Sequence, residues 1–353
     1  MFRKPYRKPF FLLLAAAIAL RVFSDFPFSV ESLYAQGAYP QLARFMRLAT
    51  SWLPISLGDI LYICAGAWLA WSVWDIVRKL FRRKAGDINL WKTATIFLAI
   101  YLYFNISWGL NYNRLGISHQ LKLEISEPEG SQLADLCSAL LEKTNRYAGE
   151  GGRIRPESRE AIHEGAIQSY RSLAKEYPFL QYRSPALKAS VFGVMGNYLG
   201  YTGYYNPFTG EAQVNEAVPG FLHPFVTCHE IAHQLGYARE NEANFVGFLA
   251  ARQAPDSLFR YSAYLDMFLY ANAQLYPLDS AAARANLKQL APEAQRDLAE
   301  LRAFRIRYQN PLEIWVDRFY DQFLRLNQQP AGTKTYGRVV LWLLAEYRKR
   351  GEI

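Results

Sequence analysis

Two histidines and a glutamate in the run His229-Glu230-Ile231-Ala232-His233 have the residue types and the spacing of a metal site. On a helix, residues four positions apart lie on the same face, so the two imidazoles can bind one Zn²⁺ ion. Glu230 follows the first histidine directly and can reach a water on an open metal position, where it would act as a general base. The pattern therefore predicts a catalytic zinc centre.

The residues around this run favour a metal site over a chance match. The chain contains only five histidines, and two of them form this pair. The neighbouring side chains are apolar or small, which indicates a buried helix: Phe225, Val226, Cys228, Ile231, Ala232 and Leu235. Burial of two imidazoles and a carboxylate without partners would cost free energy, and a bound cation removes that cost.

A catalytic zinc site needs a third protein ligand, and two acids follow the motif at short range. Gly236 is suited to end the helix, and a turn there could bring either Glu240 or Glu242 back to the metal. If the next segment is helical, Glu242 lies about 200° around the axis from Glu240, so only one of the two can face the metal. Asn244 shares the face of Glu240.

The longer run HEIAHQLGYARENEANF, residues 229–245, resembles that of an uncharacterised family of bacterial membrane proteins, a domain of unknown function. The likeness covers most of the chain, including Gly-Leu-Asn-Tyr at 109–112 and Tyr-Asn-Pro-Phe-Thr-Gly-Glu-Ala-Gln-Val-Asn at 205–215. The core is also similar to that of gluzincin peptidases, which include the membrane-bound CAAX prenyl proteases and their heat-shock relatives. The resemblance implies a zincin-like helical domain that hydrolyses peptide bonds.

The resemblance also implies roles for the residues that follow the motif. In gluzincins a glutamate on a later helix is the third ligand, and an aspartate four residues further on supports the site. This implies Glu240 as the third zinc ligand, with Asn244 in the place of the aspartate. Asn244 would hydrogen-bond a ligating histidine, and Glu242 would pair with a basic residue such as Arg239. Glu242 remains the alternative third ligand.

The composition argues against a disulfide scaffold and against a nucleic-acid-binding module. Hydrophobic residues make up 51% of the 353, enough for a sizeable core, and the three cysteines are an odd and widely spaced set. Cys228 precedes His229 by one position and points about 100° away on a helix, which indicates a core residue rather than a ligand. The basic residues behind the net charge of +9 cluster beside apolar runs, which is typical of membrane anchoring.

Three apolar runs predict transmembrane helices at about 9–28, 60–78 and 92–110. The alternative for the first run is a signal peptide, but no small-residue cleavage site follows it. The positive-inside rule places the N-terminus and the 78–92 loop in the cytoplasm, because both are rich in basic residues: Arg3, Lys4, Arg7 and Lys8, then Arg78, Lys79, Arg82, Arg83 and Lys84. Residues 115–353 are therefore predicted to lie on the periplasmic side of a bacterial inner membrane.

From residue 115 the pattern predicts a mainly helical domain with a small β-sheet. Apolar periodicity predicts helices near 131–149, 157–177, 222–236, 240–253, 256–275, 291–308, 311–328 and 335–350. A strand is predicted at Glu211–Asn215, either as an edge strand that binds extended substrate by β-augmentation or as an ordinary strand of the sheet. Tyr336 and Asn215 are candidate contacts for an oxyanion or a substrate.

Together, these features predict a mainly α fold, with three transmembrane helices in residues 1–114 and a gluzincin-like domain in residues 115–353. The function they favour is that of a membrane-anchored zinc metallopeptidase, with an envelope peptide or protein as substrate and the lipid bilayer as a second partner. Nucleic acid is not an expected partner. Two alternatives remain: a non-hydrolytic metal-binding envelope protein with a closed cleft, and a membrane scaffold in which the motif is accidental.

Overall fold

Helices account for most of the described chain, as predicted. The computed structural model describes residues 6–82, 90–126, 128, 130–150, 158–326 and 338–353. The α-helices of the N-terminal region are α1 (Arg7–Ser24), α2 (Pro27–Ser29), α3 (Tyr39–Ser51), α4 (Leu57–Phe81) and α5 (Leu90–Ser107). A π-helix, Val30–Ala38, joins α2 to α3, and a 3₁₀ turn, Gly109–Asn113, follows α5.

The remaining helices build the domain that carries the candidate metal motif. They are α6 (Ile117–Gln120), α7 (Gly130–Glu150), α8 (Arg159–Glu176), α9 (Gly193–Leu199), α10 (His223–Gln234), α11 (Glu240–Arg252), α12 (Ser257–Leu275), α13 (Ser280–Lys288), α14 (Pro292–Tyr308), α15 (Glu313–Leu326) and α16 (Val339–Arg350). Every helix predicted after residue 115 is present within a few residues of its expected bounds. Helices α6, α9 and α13 are short and were not predicted.

One helix of the described residues, α4, is long and apolar enough to cross a bilayer, and α1 together with Pro27–Ser51 gives a second candidate. At a rise of about 1.5 Å per residue, α4 is roughly 37 Å long, which exceeds the hydrocarbon thickness of a bilayer. The chain bends by 98° between α1 and Pro27–Ser51, so the first predicted span ends at Ser24 rather than at Phe28. Helix α5, at the third predicted span, is not among the described helices that are long and apolar enough to cross a bilayer.

Helices α1 and α5 nevertheless run side by side in the same direction. At their first turns, the Thr95 hydroxyl lies 3.3 Å from the Tyr6 carbonyl oxygen, and the rings of Phe10 and Trp91 are 5.3 Å apart. At their far ends, Phe23 and Phe104 pack against the same buried cluster. Of the basic residues that were used to orient the spans, those at 1–5 and 83–89 lie outside the described residues.

The segment from Val30 to Ser51 packs against the domain instead of continuing α1. Tyr39 is fully buried, and its hydroxyl lies 3.4 Å from the carbonyl oxygen of Gln234, the last residue of α10. Arg47 donates to the same oxygen at 2.9 Å, which places a positive charge at the negative end of the α10 dipole. Tight contacts therefore cross the predicted division at residue 114.

The hydrophobic core surrounds α10 and α11, which pack against each other and against α8 and α12. Both helices are buried on nearly all sides. In α11, seven apolar residues are completely buried: Ala243, Phe245, Val246, Phe248, Leu249, Ala250 and Ala251. Helix α7 covers the far side of α12. The candidate metal motif is therefore held in the best-packed part of the molecule.

The described strands form a three-stranded sheet in the order β1 (Leu187–Ala189), β3 (Ala212–Val214), β2 (Gly203–Tyr205). Strand β3 pairs in parallel with β1 and antiparallel with β2. It is therefore the central strand, and the alternative in which Glu211–Asn215 forms a substrate-binding edge is wrong, because both of its sides are already paired. The edge that faces α10 is β2.

Candidate metal centre

Helix α10 places both histidines of the motif on one face. Pro224 in its first turn is tolerated because the first N–H groups of a helix have no intrahelical partner. The rings of His229 and His233 lie 4.7 Å apart, with their planes perpendicular. Nδ1 of His233 lies 2.8 Å from the carbonyl oxygen of Tyr237. A proton on Nδ1 that is donated to this carbonyl leaves the Nε2 lone pair free to bind a metal.

A tight turn after α10 brings Glu240 back to the histidines. Gly236 has φ of +92°, a conformation that glycine adopts without steric cost. The Oε2 atom of Glu240 lies 3.3 Å from Nε2 of His229 and 3.6 Å from Nε2 of His233. Ligands about 2.1 Å from a tetrahedral ion are about 3.4 Å apart, so both separations suit zinc. All three donor atoms lie within 4.8 Å of one another.

Glu242, the alternative ligand, points away from this cluster. Its carboxylate is completely buried and pairs with Arg239, with Oε1 at 3.3 Å from Nη1. A Cβ atom on Gly116 would lie 1.8 Å from the same oxygen, so Glu242 packs against the chain that follows α5. The structure therefore brings Glu240 to the histidines and Glu242 to Arg239, as the helical spacing of the two acids requires.

The pKa values of His229, His233 and Glu240 depend on burial and on the charges of their neighbours. Burial lowers the pKa of His229. Burial acts in the same direction on His233, but the carboxylates of Glu240 and Glu230 raise its pKa to about 9. Burial alone would raise the pKa of Glu240, yet the two histidines hold it well below its usual range. Two imidazoles with one carboxylate are a donor set that zinc prefers.

Glu230 lies between the histidines and the edge of the sheet. Burial raises the pKa of its carboxyl group to about 8, and one oxygen, Oε2, has no hydrogen-bond partner among the described residues. The other oxygen lies so close to Gly203 that a Cβ atom there would approach it to 2.5 Å. A cavity of about 1120 Å³ opens beside His229, Glu230 and His233. A base with a raised pKa therefore faces both the candidate metal position and space for a substrate.

Two tyrosines at the site were not predicted from the sequence. Tyr270 on α12 lies beside Asn244 and near Glu240, and burial raises the pKa of its hydroxyl, which therefore stays protonated. Tyr112 lines the same cavity, and burial together with the charge of Glu240 raises its pKa as well. Tyr112 ends the Gly-Leu-Asn-Tyr run that carries part of the family resemblance, whereas Tyr270 is one tyrosine among the 24 of the chain and carries no local signal.

Asn244, which was predicted to support a ligating histidine, lies near His229, but Nδ1 of His229 and Nδ2 of Asn244 have no hydrogen-bond partner among the described residues. Asn215 has a different environment. It is completely buried, and its side-chain amide donates to Gly193 and Asn197 at 3.0 and 2.7 Å. It therefore braces the loop before β2 and does not line the cavity. Tyr336 lies outside the described residues.

Gly247 sets the distance between the two helices that supply the ligands. A Cβ atom there would lie 3.0 Å from the backbone nitrogen of His229 and 3.1 Å from its Cα atom. Since backbone atoms cannot rotate away, Gly247→Ala should push α11 outward, move Glu240 and lower zinc affinity by about tenfold, the range seen for disturbed ligand supports. Competition with a chromophoric chelator measures this. Gly149→Ala, which meets no atom within 4 Å, is the control, and equal affinities would contradict the prediction.

The fold and the site define a mainly helical protein with at least one candidate membrane helix and a largely buried cluster of two histidines and a glutamate. The chain belongs to the family described as a protein of unknown function (DUF3810), whose model matches residues 34–344. That match begins inside the π-helix and covers both ligand helices. Searches among curated proteins and among solved structures found no match.

Proposed function

We propose that this protein is a membrane-anchored zinc metallopeptidase with a gluzincin-like domain, which hydrolyses a peptide or protein of the bacterial envelope. The observation that carries the proposal is the convergence of His229, His233 and Glu240, with the Glu230 carboxylate beside them. Three protein ligands leave a coordination position open, which is the arrangement of catalytic rather than structural zinc sites.

The chemistry follows from the positions of these side chains. Zinc, when bound by the three ligands, supplies a Lewis acid that polarises the scissile carbonyl and acidifies a water molecule. Glu230 would accept a proton from the water molecule that attacks this carbonyl and would deliver it to the leaving amine. Its buried position keeps bulk water away from this transfer. The protonated hydroxyl groups of Tyr270 and Tyr112 line the same cavity and can donate hydrogen bonds to the developing oxyanion.

The edge of β2 offers a place for the substrate backbone. Asn215 N–H donates to the Thr202 carbonyl at 3.0 Å, and Asn206 N–H donates to the Glu211 carbonyl at 2.8 Å. In an antiparallel ladder the intervening residues alternate, so the backbone groups of Gly203 and Tyr205 point away from β3. Gly203 and Tyr205 line the cavity next to Glu230. An extended peptide that paired with this edge would therefore pass the candidate zinc position.

The cavity favours hydrolysis over the two alternative functions, a non-hydrolytic metal-binding protein and a membrane scaffold. A non-hydrolytic metal protein needs no space beside its metal, and a scaffold needs no cluster of buried ligands. Here the cluster adjoins a cavity of about 1120 Å³, which is larger than most sites for small ligands and sufficient for several residues of a peptide.

The Glu230→Gln variant tests the proposal, because it spares all three ligands. We expect about one zinc ion per chain in both proteins, and hydrolysis of a randomised decapeptide library reduced by about 10²- to 10⁴-fold in the variant. The library is supplied both free and fused to a single membrane span. Glu216→Gln, which changes an exposed acid outside the site, is the matched control. Zinc-free wild-type protein, or equal hydrolysis by Glu230→Gln, would contradict the proposal.

The proposed location is the inner membrane, with spans at about 9–24, 60–78 and 92–110 and the domain on the periplasmic side. The parallel arrangement of α1 and α5 supports this, because two helices that run in the same direction must enter the bilayer from the same side. A reporter fused after residue 86 should therefore be active in the cytoplasm, and one fused after residue 353 in the periplasm. A cytoplasmic C-terminus would show that one span is miscounted.

A further inference from the structure

We infer that the substrate is itself a membrane-borne polypeptide, held in the bilayer by an apolar segment, and that it enters the cavity between α4 and the paired helices α1 and α5. The inference rests on the proposed peptidase function and adds the class of substrate. Its cleavage site would lie within a few residues of the point where the substrate leaves the bilayer.

The first observation is the extent of the cavity. It begins at His229 and Glu230 and continues to Tyr62, which lies in the second turn of α4, and to Phe104, near the end of α5. A water-soluble substrate would have no need for a cavity that reaches the candidate membrane helix. At a rise of about 1.5 Å per residue, Tyr62 lies only about 6 Å below Gly58, near the start of α4.

The second observation is how the sheet contacts these helices. The turn between β2 and β3 lies between α4 and α5, because Phe208 stacks on Tyr103 with ring centroids 5.7 Å apart and meets the edge of Tyr62 at 6.5 Å. Tyr62 also stacks on Tyr204 of β2, at 6.1 Å. The Tyr103 hydroxyl donates to the Phe208 carbonyl at 2.9 Å. The free edge of the sheet is thus fixed directly above the outer ends of both helices.

The start of α4 is fixed in the same place. The buried Glu211 accepts hydrogen bonds from Leu57 N–H at 3.1 Å and from Gly58 N–H at 2.6 Å, so a carboxylate caps the positive end of the helix. Beyond this anchor, none of the most apolar stretch of α4 is buried. Helices α1 and α5 pack on each other instead. Among the described residues, α4 therefore stands apart and leaves a lateral opening from the bilayer into the cavity.

The other side of the cavity mouth is also apolar and lies at the same level. The Val191 N–H donates to Asp59, in the first turn of α4, at 2.7 Å, which places the start of α9 beside the membrane helix. Around that point α9, α14 and α15 expose large apolar side chains: Val191, Val194, Met195, Tyr198, Ile306, Leu312, Ile314, Trp315 and Phe319. Tyr198, Ile306 and Val316 line the cavity itself. Such a rim is suited to the boundary of a bilayer, where the apolar faces would be covered by lipid.

The backbone chemistry fits the same class of substrate. A polypeptide that unwinds near the bilayer surface exposes N–H and C=O groups that lipid cannot satisfy. The edge at Gly203 and Tyr205 supplies partners for them within the cavity. An extended chain advances about 3.3 Å per residue, so a segment of about ten residues is ample to connect the bilayer with the candidate zinc position.

A crosslinking experiment tests binding without relying on hydrolysis. Full-length Glu230→Gln protein carries a photoreactive phenylalanine analogue at position 62 or 104 and is reconstituted in phosphatidylethanolamine–phosphatidylglycerol vesicles. We expect both positions to capture a randomised decapeptide fused to a single membrane span, and the free decapeptides at least about tenfold less, because confinement to the membrane raises the local concentration. The same analogue at position 76, an exposed position about four-fifths of the way along α4, controls for collisions within lipid. Capture at 76 equal to that at 62, or equal capture of the free peptides, would overturn the inference.

Hydrolysis by the wild-type protein separates this inference from the proposed function. Anchored decapeptides that are cleaved roughly tenfold or more faster than free ones, at sites within about ten residues of the span, would support both. Equal rates would retain the peptidase and remove the membrane-borne substrate. Capture at positions 62 and 104 without hydrolysis of either library would retain the membrane-borne ligand and remove the peptidase.

Discussion

Glu240→Gln should lose zinc, whereas Glu242→Gln should retain it. Glutamine keeps the size of the side chain but replaces an anionic oxygen with a neutral amide, so the site in Glu240→Gln would have only the two imidazoles as strong ligands. We expect its zinc affinity to fall by more than the roughly 10- to 100-fold that is typical of residues that only support a ligand. Competition with a chromophoric chelator at fixed pH measures the change.

Glu242 is a demanding control, because its side chain is completely buried and lies against Arg239. Arg239 pairs with it, and Arg114 also lowers its pKa, although burial raises the pKa overall. Glutamine at position 242 keeps the size of the side chain and an oxygen that can accept from Arg239, so zinc affinity should change little. A large loss of zinc affinity in Glu242→Gln, with little change in Glu240→Gln, would mean that the wrong acid has been assigned to the metal.

The contrast between these two acids shows why this part of the site was predictable. His229, His233, Glu240 and Glu242 lie within 14 residues of sequence, counted from position 229 to position 242, and two helices joined by one turn fix their relative directions. The helical repeat then decides which side chains share a face. The sequence alone does not give the angle between the two helices. Gly236, with its positive φ, forms the turn, and Gly247 lets α11 approach the backbone of His229 closely.

Residues that reach the site from distant parts of the chain were not predictable in the same way. Tyr270 arrives on α12, one helix beyond the ligand helices, and its approach to Asn244 depends on how α11 and α12 cross. The same holds for the sheet. The sequence of Glu211–Asn215 indicates a strand, but the central position of that strand depends on β1 and β2, which pair with it from elsewhere. Alternation of side chains carries no information on sheet order.

The segment from Val30 to Ser51 was missed for a different reason. Its apolar and polar residues do not make a continuous span, and several of its buried groups are polar: Glu31, Arg47 and Thr50. A pattern based on hydrophobicity assigns such residues to solvent. In the structure they are buried because each finds a partner on the domain, as Arg47 does at the end of α10.

Loss of the pair between Glu31 and Arg114 should destabilise the protein more than the loss of any exposed ion pair. Both side chains are almost completely buried, and Arg114 donates to the two carboxylate oxygens of Glu31 at 3.0 and 2.8 Å. Glu31→Ala would leave the guanidinium buried without its counter-charge, which costs about 3–5 kcal/mol. Thermal unfolding in detergent measures the loss. Glu164→Ala, which removes an exposed partner of Arg171, should cost no more than about 1 kcal/mol.

The same pair links the N-terminal segment to the metal ligands, so its loss should also reach the site. Arg114 Nη1 donates to the Gly236 carbonyl at 3.1 Å, in the turn that joins the two histidines to Glu240. Glu31→Ala should therefore weaken zinc binding as well as folding. In the double variant Glu31→Met, Arg114→Met no unpaired charge remains, and most of the lost stability should return. Zinc affinity should recover less, because the Gly236 carbonyl still lacks its donor. A melting temperature of Glu31→Ala equal to that of Glu164→Ala would show that the buried pair does not hold this turn in place.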